Sequence, residues 1–131
     1  MFIERMMNEG NAPVLEQVIQ FTAARHRLIA ENIANIDTPG YRQKDLSVER
    51  FQEALRQQIE NRNRGRYRGT CEPNGRPEYP LCGILAHDGN NRSMEQLATD
   101  MAKNAMMHNV AIELLRKQYQ QMDMALRERV V

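Results

Sequence analysis

At 131 residues the chain is one domain's worth of sequence, yet 41% hydrophobic residues, 5% aromatics and no tryptophan leave little material for a large self-contained core. Its 18 basic and 17 acidic side chains nearly cancel, so net charge argues neither for nucleic acid nor for an anionic membrane as partner. No run of about 18 apolar residues exists to span a bilayer. Glu4, Asn8, Glu9, Gln17 and Gln20 also interrupt the N-terminal stretch where a cleavable secretory signal needs an unbroken apolar segment. The expectation is a chain that stays in the cytosol or leaves by another export route.

The first predicted helix runs over about 13–36, with Asn11 as its cap and Pro13 in the first turn, where a missing N–H costs nothing. Its apolar stripe is Leu15, Val18, Ile19, Thr22, Ile29, Ile33 and Ile36. It must stop at Pro39-Gly40. Pro39 disfavours a helical conformation at Thr38, and Gly40 can take the positive φ required at the third position of a type II turn. Asn35 and Asp37 carry short side chains suited to local bonds with the backbone groups left unpaired at a helix end.

A second, shorter helix is predicted from Ser47, with Val48, Phe51, Leu55 and Ile59 on one face, fading in Asn61-Arg62-Asn63-Arg64-Gly65. Residues 62–87 that follow are rich in Gly, Pro and Arg. Between Arg62 and Arg76, Arg62, Arg64, Arg66, Arg68 and Arg76 stand against one acid, Glu72, and the plain reading is a solvated loop or a basic strip facing an acidic neighbour. Cys71 and Cys82 lie in the same segment. In an oxidising compartment they can close a loop of about 12 residues, worth on the order of 3 kcal/mol, and in the cytosol they stay reduced. With His87 they supply only three ligands and no Cys-x-x-Cys spacing, so no metal site is expected.

The third helix is predicted over about 93–129. Ser93 and Gln96 have capping-box spacing, and no proline or glycine follows. Met101, Ala105, His108, Ile112, Leu115, Tyr119, Met122 and Leu126 recur at alternating four and three, the seam of a heptad pattern. Some 36 residues make a helix of about 54 Å, longer than its own chain can cover. The N-terminal helix, about 34 Å by the same rise, is its obvious partner. The expected fold is mainly α and elongated. Long N- and C-terminal helices pair as a helical hairpin or coiled-coil-like unit in a single domain over 1–131, and residues 37–92 form the turn, the short helix and an irregular or small β-containing insertion. The rest of the seam is left for neighbouring subunits, which favours an assembly protein over an enzyme. His26, His87 and His108 have no spaced Ser or Cys partner, and neither a phosphate-cradling glycine pattern nor His-Glu-x-x-His occurs. No catalytic residue and no cofactor are expected.

The segment Glu31-Asn32-Ile33-Ala34-Asn35-Ile36-Asp37-Thr38-Pro39-Gly40-Tyr41, some thirty residues from the N-terminus and after a helix, resembles the N-terminal motif of the bacterial flagellar axial proteins of rod and hook. Asp37, where other rod and hook members usually carry Asn, is similar to the proximal rod proteins, the FlgB family, as are Arg42 and Lys44-Asp45-Leu46. Asp88-Gly89-Asn90-Asn91, Met101-Ala102-Lys103-Asn104, Ala111 and Leu115 resemble the C-terminal part of the same family. His108 departs from it, since relatives commonly carry an aromatic there.

The resemblance implies a structural subunit of the flagellar basal-body rod, exported by the flagellar type III apparatus without signal cleavage and polymerised in the periplasm. Its partners would be copies of itself, other rod proteins and the proteins at the junction with the membrane ring. No nucleic acid and no small-molecule substrate is implied. Asn32, Ile33, Ala34, Asn35, Asp37, Thr38, Pro39, Gly40 and Tyr41 would form the turn motif, and Leu28, Ile29 and the seam from Met101 to Leu126 the packing contacts. A disulfide between Cys71 and Cys82 fits a periplasmic destination. Two alternatives stay open: another axial subunit of similar length, and a cytosolic helical adaptor or RNA-binding protein using the Arg62 to Arg76 strip.

Overall fold

The computed structural model describes residues 10–64 and 94–128, and these are mainly helical, in three elements. Helix α1 is Ala12–Ala34, α2 is Val48–Asn63 and α3 is Met94–Glu128. The β-containing insertion, the Ser93–Gln96 capping box, Cys71, Cys82, His87 and the basic strip beyond Arg64 lie outside the described residues.

Helix α1 starts with Pro13 in its first turn, as its sequence requires. Asn11 stands at the cap position but already has helical dihedrals (φ −79°, ψ −1°) and makes no side-chain capping bond. Only its carbonyl contributes, accepting the Leu15 N–H at 3.0 Å. The expected side-chain cap is therefore not formed. A cap side chain reaches the N2 or N3 amide from extended dihedrals, and Asn11 has turned into the helix too early for that.

Helix α1 is covered on more than one side. Ala12, Gln17, Phe21, Thr22, Ile29 and Asn32 are buried, whereas Leu15, Val18, Ile19, Ile33 and Ile36 of the expected stripe are only half-buried. The reason is that two different partners flank the helix. Against α2, the Phe21 and Phe51 rings stack with centroids 4.0 Å apart and planes 4° from parallel. Eleven residues along each chain from that stack, Arg62 Nη1 donates to the Gly10 carbonyl at 2.8 Å, so α2 runs antiparallel to α1. The helix starts at Ser47 as expected, and Ser47 caps it, its Oγ accepting the Arg50 N–H at 3.3 Å; no α2 residue is fully buried.

Helix α3 is 35 residues long, about 52 Å, against 23 residues and about 34 Å for α1. It also runs antiparallel to α1. Asn104 meets Thr22, while Tyr119, further along α3, reaches back to Glu16. The covered face is not quite the expected seam. Met101, His108, Leu115 and Met122 lie on it, but its alternate positions are Leu97, Asn104, Ala111 and Gln118. Ala105 and Ile112 move to its flank, and Tyr119 and Leu126 are 37% and 42% exposed.

The correction has a packing cause. Helices approach most closely over small side chains, and a polar side chain can be buried where it finds a partner. Ala111 supplies the first condition and Asn104, at 3% exposure, the second, so the helix turns them inward in place of the larger Ile112 and Tyr119. The described core is small: Ala12, Phe21, Ile29, Leu46, Leu97 and Ala111 are its fully buried apolar residues.

Candidate functional site

Two places on this scaffold combine several functional groups: the reversal after α1 and the cleft between α1 and α3. The reversal begins at Asn35, whose N–H bonds to the Glu31 carbonyl at 3.1 Å and whose Nδ2 donates to the same carbonyl at 2.9 Å. Thr38 N–H then bonds to the Asn35 carbonyl at 3.0 Å and Tyr41 N–H to the Thr38 carbonyl at 3.2 Å. The second bond closes the turn Thr38-Pro39-Gly40-Tyr41, in which Gly40 has φ +75°. That is the expected type II pattern. A Cβ on Gly40 would meet nothing within 4 Å, so the need for glycine is one of backbone conformation and not of space.

Asn32 explains what the turn accomplishes. It is 2% exposed on the last turn of α1. Its Nδ2 donates to the Lys44 carbonyl at 2.6 Å and its Oδ1 accepts the Lys44 N–H at 3.0 Å and the Tyr41 hydroxyl at 3.1 Å. One primary amide thus supplies both backbone bonds that a neighbouring strand would make, and folds residues 41–44 back along the helix. Beyond it, Asp45 receives Arg25 Nε at 2.8 Å and Arg25 Nη2 at 2.7 Å in a two-pronged ion pair, and its Oδ1 also accepts the Leu46 N–H at 2.8 Å. The Asp45 hydrogen bonds hold the Arg25 guanidinium above its usual range, against a smaller opposing effect of burial, with Asp45, Asp100 and Glu49 adding attraction. Leu46 is buried as a result.

The motif residues therefore divide. Asn32, Asn35, Gly40 and Tyr41 build the reversal, and Ile33 is half-buried beside them. Ala34, Asp37, Thr38 and Pro39 have exposed side chains around the turn, and Thr38 contributes its backbone N–H and carbonyl to it.

In the cleft, Asn104 Nδ2 donates to the Thr22 carbonyl at 2.8 Å. Thr22 Oγ1 lies 2.8 Å from the Val18 carbonyl, 3.0 Å from the Ile19 carbonyl and 2.8 Å from His108 Nδ1. A carbonyl cannot donate, so the single hydroxyl proton goes to the preceding turn of α1 or to His108 Nδ1 according to the imidazole tautomer. Toward solvent the same helices enclose a cleft of about 400 Å³ lined by His26, Arg27, Asn104, His108, Asn109 and two alanines. At the far end Tyr119 donates to Glu16 Oε1 at 3.0 Å, which pushes the exposed phenol's pKa up.

The expected packing residues end in different places. Ile29, at 1% exposure, is buried inside the chain, and Met101, His108 and Leu115 are half-buried on the face turned to α1. Leu28, Ala105, Ile112 and Met122 are half-buried, and Tyr119 and Leu126 remain exposed. A second apolar strip, outside the expected seam, is formed by Met106, Met107, Val110 and Leu114 at 70%, 56%, 56% and 50% exposure. Phe21, the Arg25–Asp45 pair and the Val110 and Leu114 part of this strip are what the sequence reading passed over. Spacings of three and four from Met107 to Leu114 were a visible signal for the strip, whereas nothing local pairs Arg25 with Asp45.

Among the described residues no group of three or more His, Cys, Asp or Glu is placed to hold a metal ion, and no helix is long and apolar enough to cross a membrane. No protein-family model matches the chain, and no curated protein matches it significantly.

Proposed function

We propose that the chain is a structural subunit of the flagellar proximal rod, of the FlgB type, polymerising with copies of itself and other rod proteins to carry motor torque from the membrane ring toward the hook. The observation that supports this best is the strip Met106, Met107, Val110 and Leu114, bordered by exposed Lys103, Glu113 and Lys117. An apolar strip with a charged rim on a long helix is the form of a protein contact and serves no purpose in an isolated chain. The resemblance of residues 31–46 and 88–115 to proximal rod proteins supplies the particular assembly.

In this reading α1 and α3 form a coiled-coil-like unit, with the small β-containing insertion on the outside. The strip, together with Tyr119 and Leu126, packs on helices of neighbouring subunits. Each Leu, Val or Met so buried contributes about 1.5–3 kcal/mol, and twisting the shaft would unpack several at once, so the joint is stiff. The chain reaches the periplasmic rod through the type III apparatus with its N-terminus intact.

Mass spectrometry of detergent-extracted basal bodies tests this directly. Stoichiometric recovery with rod proteins and an uncleaved N-terminus is the expected result. Absence from otherwise complete basal bodies, with the protein in the cytosol, overturns it and moves the adaptor or RNA-binding reading forward. Recovery at the position of the neighbouring rod segment would instead make it another axial subunit.

A further inference from the structure

We propose that the cleft between α1 and α3 is a binding site for a carboxylate group. The inference does not depend on the rod reading. All five polar side chains that line the cleft carry nitrogen donors: His26 and Arg27 from α1, and Asn104, His108 and Asn109 from α3. No lining residue is acidic, and α2 contributes nothing to the cleft. Asn104 is committed to the Thr22 carbonyl and His108 Nδ1 to the Thr22 hydroxyl, which leaves Arg27, His26 and Asn109 to meet a ligand.

The charge arrangement selects the class. Every Arg–carboxylate pair among the described residues uses another arginine: Arg25 with Asp45, Arg64 with Glu60, Arg116 with Glu113 and Arg127 with Asp123. Arg27 is exposed at the cleft and forms no such pair with a described residue. Its planar fork matches a carboxylate, and one permanent positive charge suits a monoanion. A transition-metal ion fits poorly, since only two imidazoles are present and Arg27 repels it. The volume, about 400 Å³, admits a carboxylate with a short aliphatic stem.

Two sources present this chemistry: an Asp or Glu side chain of a second copy, and a free small organic acid. Both are tested by following the His26 and His108 ring resonances of the full chain by NMR. Sodium acetate is titrated in at constant pH, with sodium chloride at equal ionic strength as the control. The expected result is saturable shifts with acetate alone. Arg27→Gln should weaken binding by roughly tenfold, and His26→Gln, also at an exposed position, serves as a second variant with the fold checked by amide dispersion. If raising the protein concentration without acetate moves the same resonances and acetate reverses it, the carboxylate belongs to a second copy. If concentration has no effect, the ligand is a free acid. Non-saturating shifts, equal shifts with chloride, or unchanged affinity in Arg27→Gln overturn the site.

Discussion

Asn32 shows how one side chain can hold a chain reversal that hydrophobicity cannot. Its amide satisfies both backbone groups of Lys44 and the Tyr41 hydroxyl while nearly sealed from water. Asn32→Ala removes all three bonds at once and should cost about 2–4 kcal/mol in urea unfolding. Tyr41→Phe, which removes one of the bonds, should cost about 1 kcal/mol. Equal effects of the two substitutions would count against the central role of Asn32. Arg25 with Asp45 is the other residue-scale device. Because folding raises the Arg25 pKa, its stabilisation is fully present below the unfolded-state value and is lost only as pH rises through the folded one. Stability differences between wild type and Arg25→Met should therefore stay constant from about pH 7 to about pH 10, at about 1–3 kcal/mol, in denaturant titrations at each pH. A difference that shrinks across that range would mean the pair is not what Arg25 contributes.

At the scale of the element, the informative case is the turn of α3 about its own axis. An apolar count favours Ile112 and Tyr119, yet Ala111 and Asn104 face α1. Ala111→Leu should then overpack the contact and cost about 1–3 kcal/mol in thermal unfolding of the isolated chain, while Tyr119→Ala and Leu126→Ala should stay within about 0.5 kcal/mol. The reverse order would restore the expected seam. The same rotation moves Met106, Met107, Val110 and Leu114 away from α1, so the intramolecular contact and the open strip are two results of one packing choice.

For the whole molecule, a small described core and a 35-residue helix exposing two sets of apolar residues fit a chain stabilised in company. Leu114→Glu and Val110→Glu lie on the open strip and not on the α1 face, so helicity of the isolated chain by circular dichroism should be unchanged. Self-association by sedimentation velocity should weaken by about tenfold or more for each, since each removes a contact worth about 1.5–3 kcal/mol. Association indifferent to both substitutions would remove the strip from the assembly.

The local features were legible without coordinates because their causes are local. Pro13 in the first turn, a helix start at Ser47, a long C-terminal helix and the Thr38-Pro39-Gly40-Tyr41 turn each follow from backbone geometry within a few residues. The positive φ of Gly40 was inferable from Pro39 and Gly40 alone. Only the tertiary structure decided the Phe21–Phe51 stack, the Arg25–Asp45 pair, the clasp of Asn32 on Lys44, and which of two nearly equal seams α3 turns toward α1. Each of these joins groups 12 or more residues apart, or depends on the size and hydrogen bonds of a facing surface. Propensity and periodicity describe a helix's own preferences. The partner that covers it decides which of them is used.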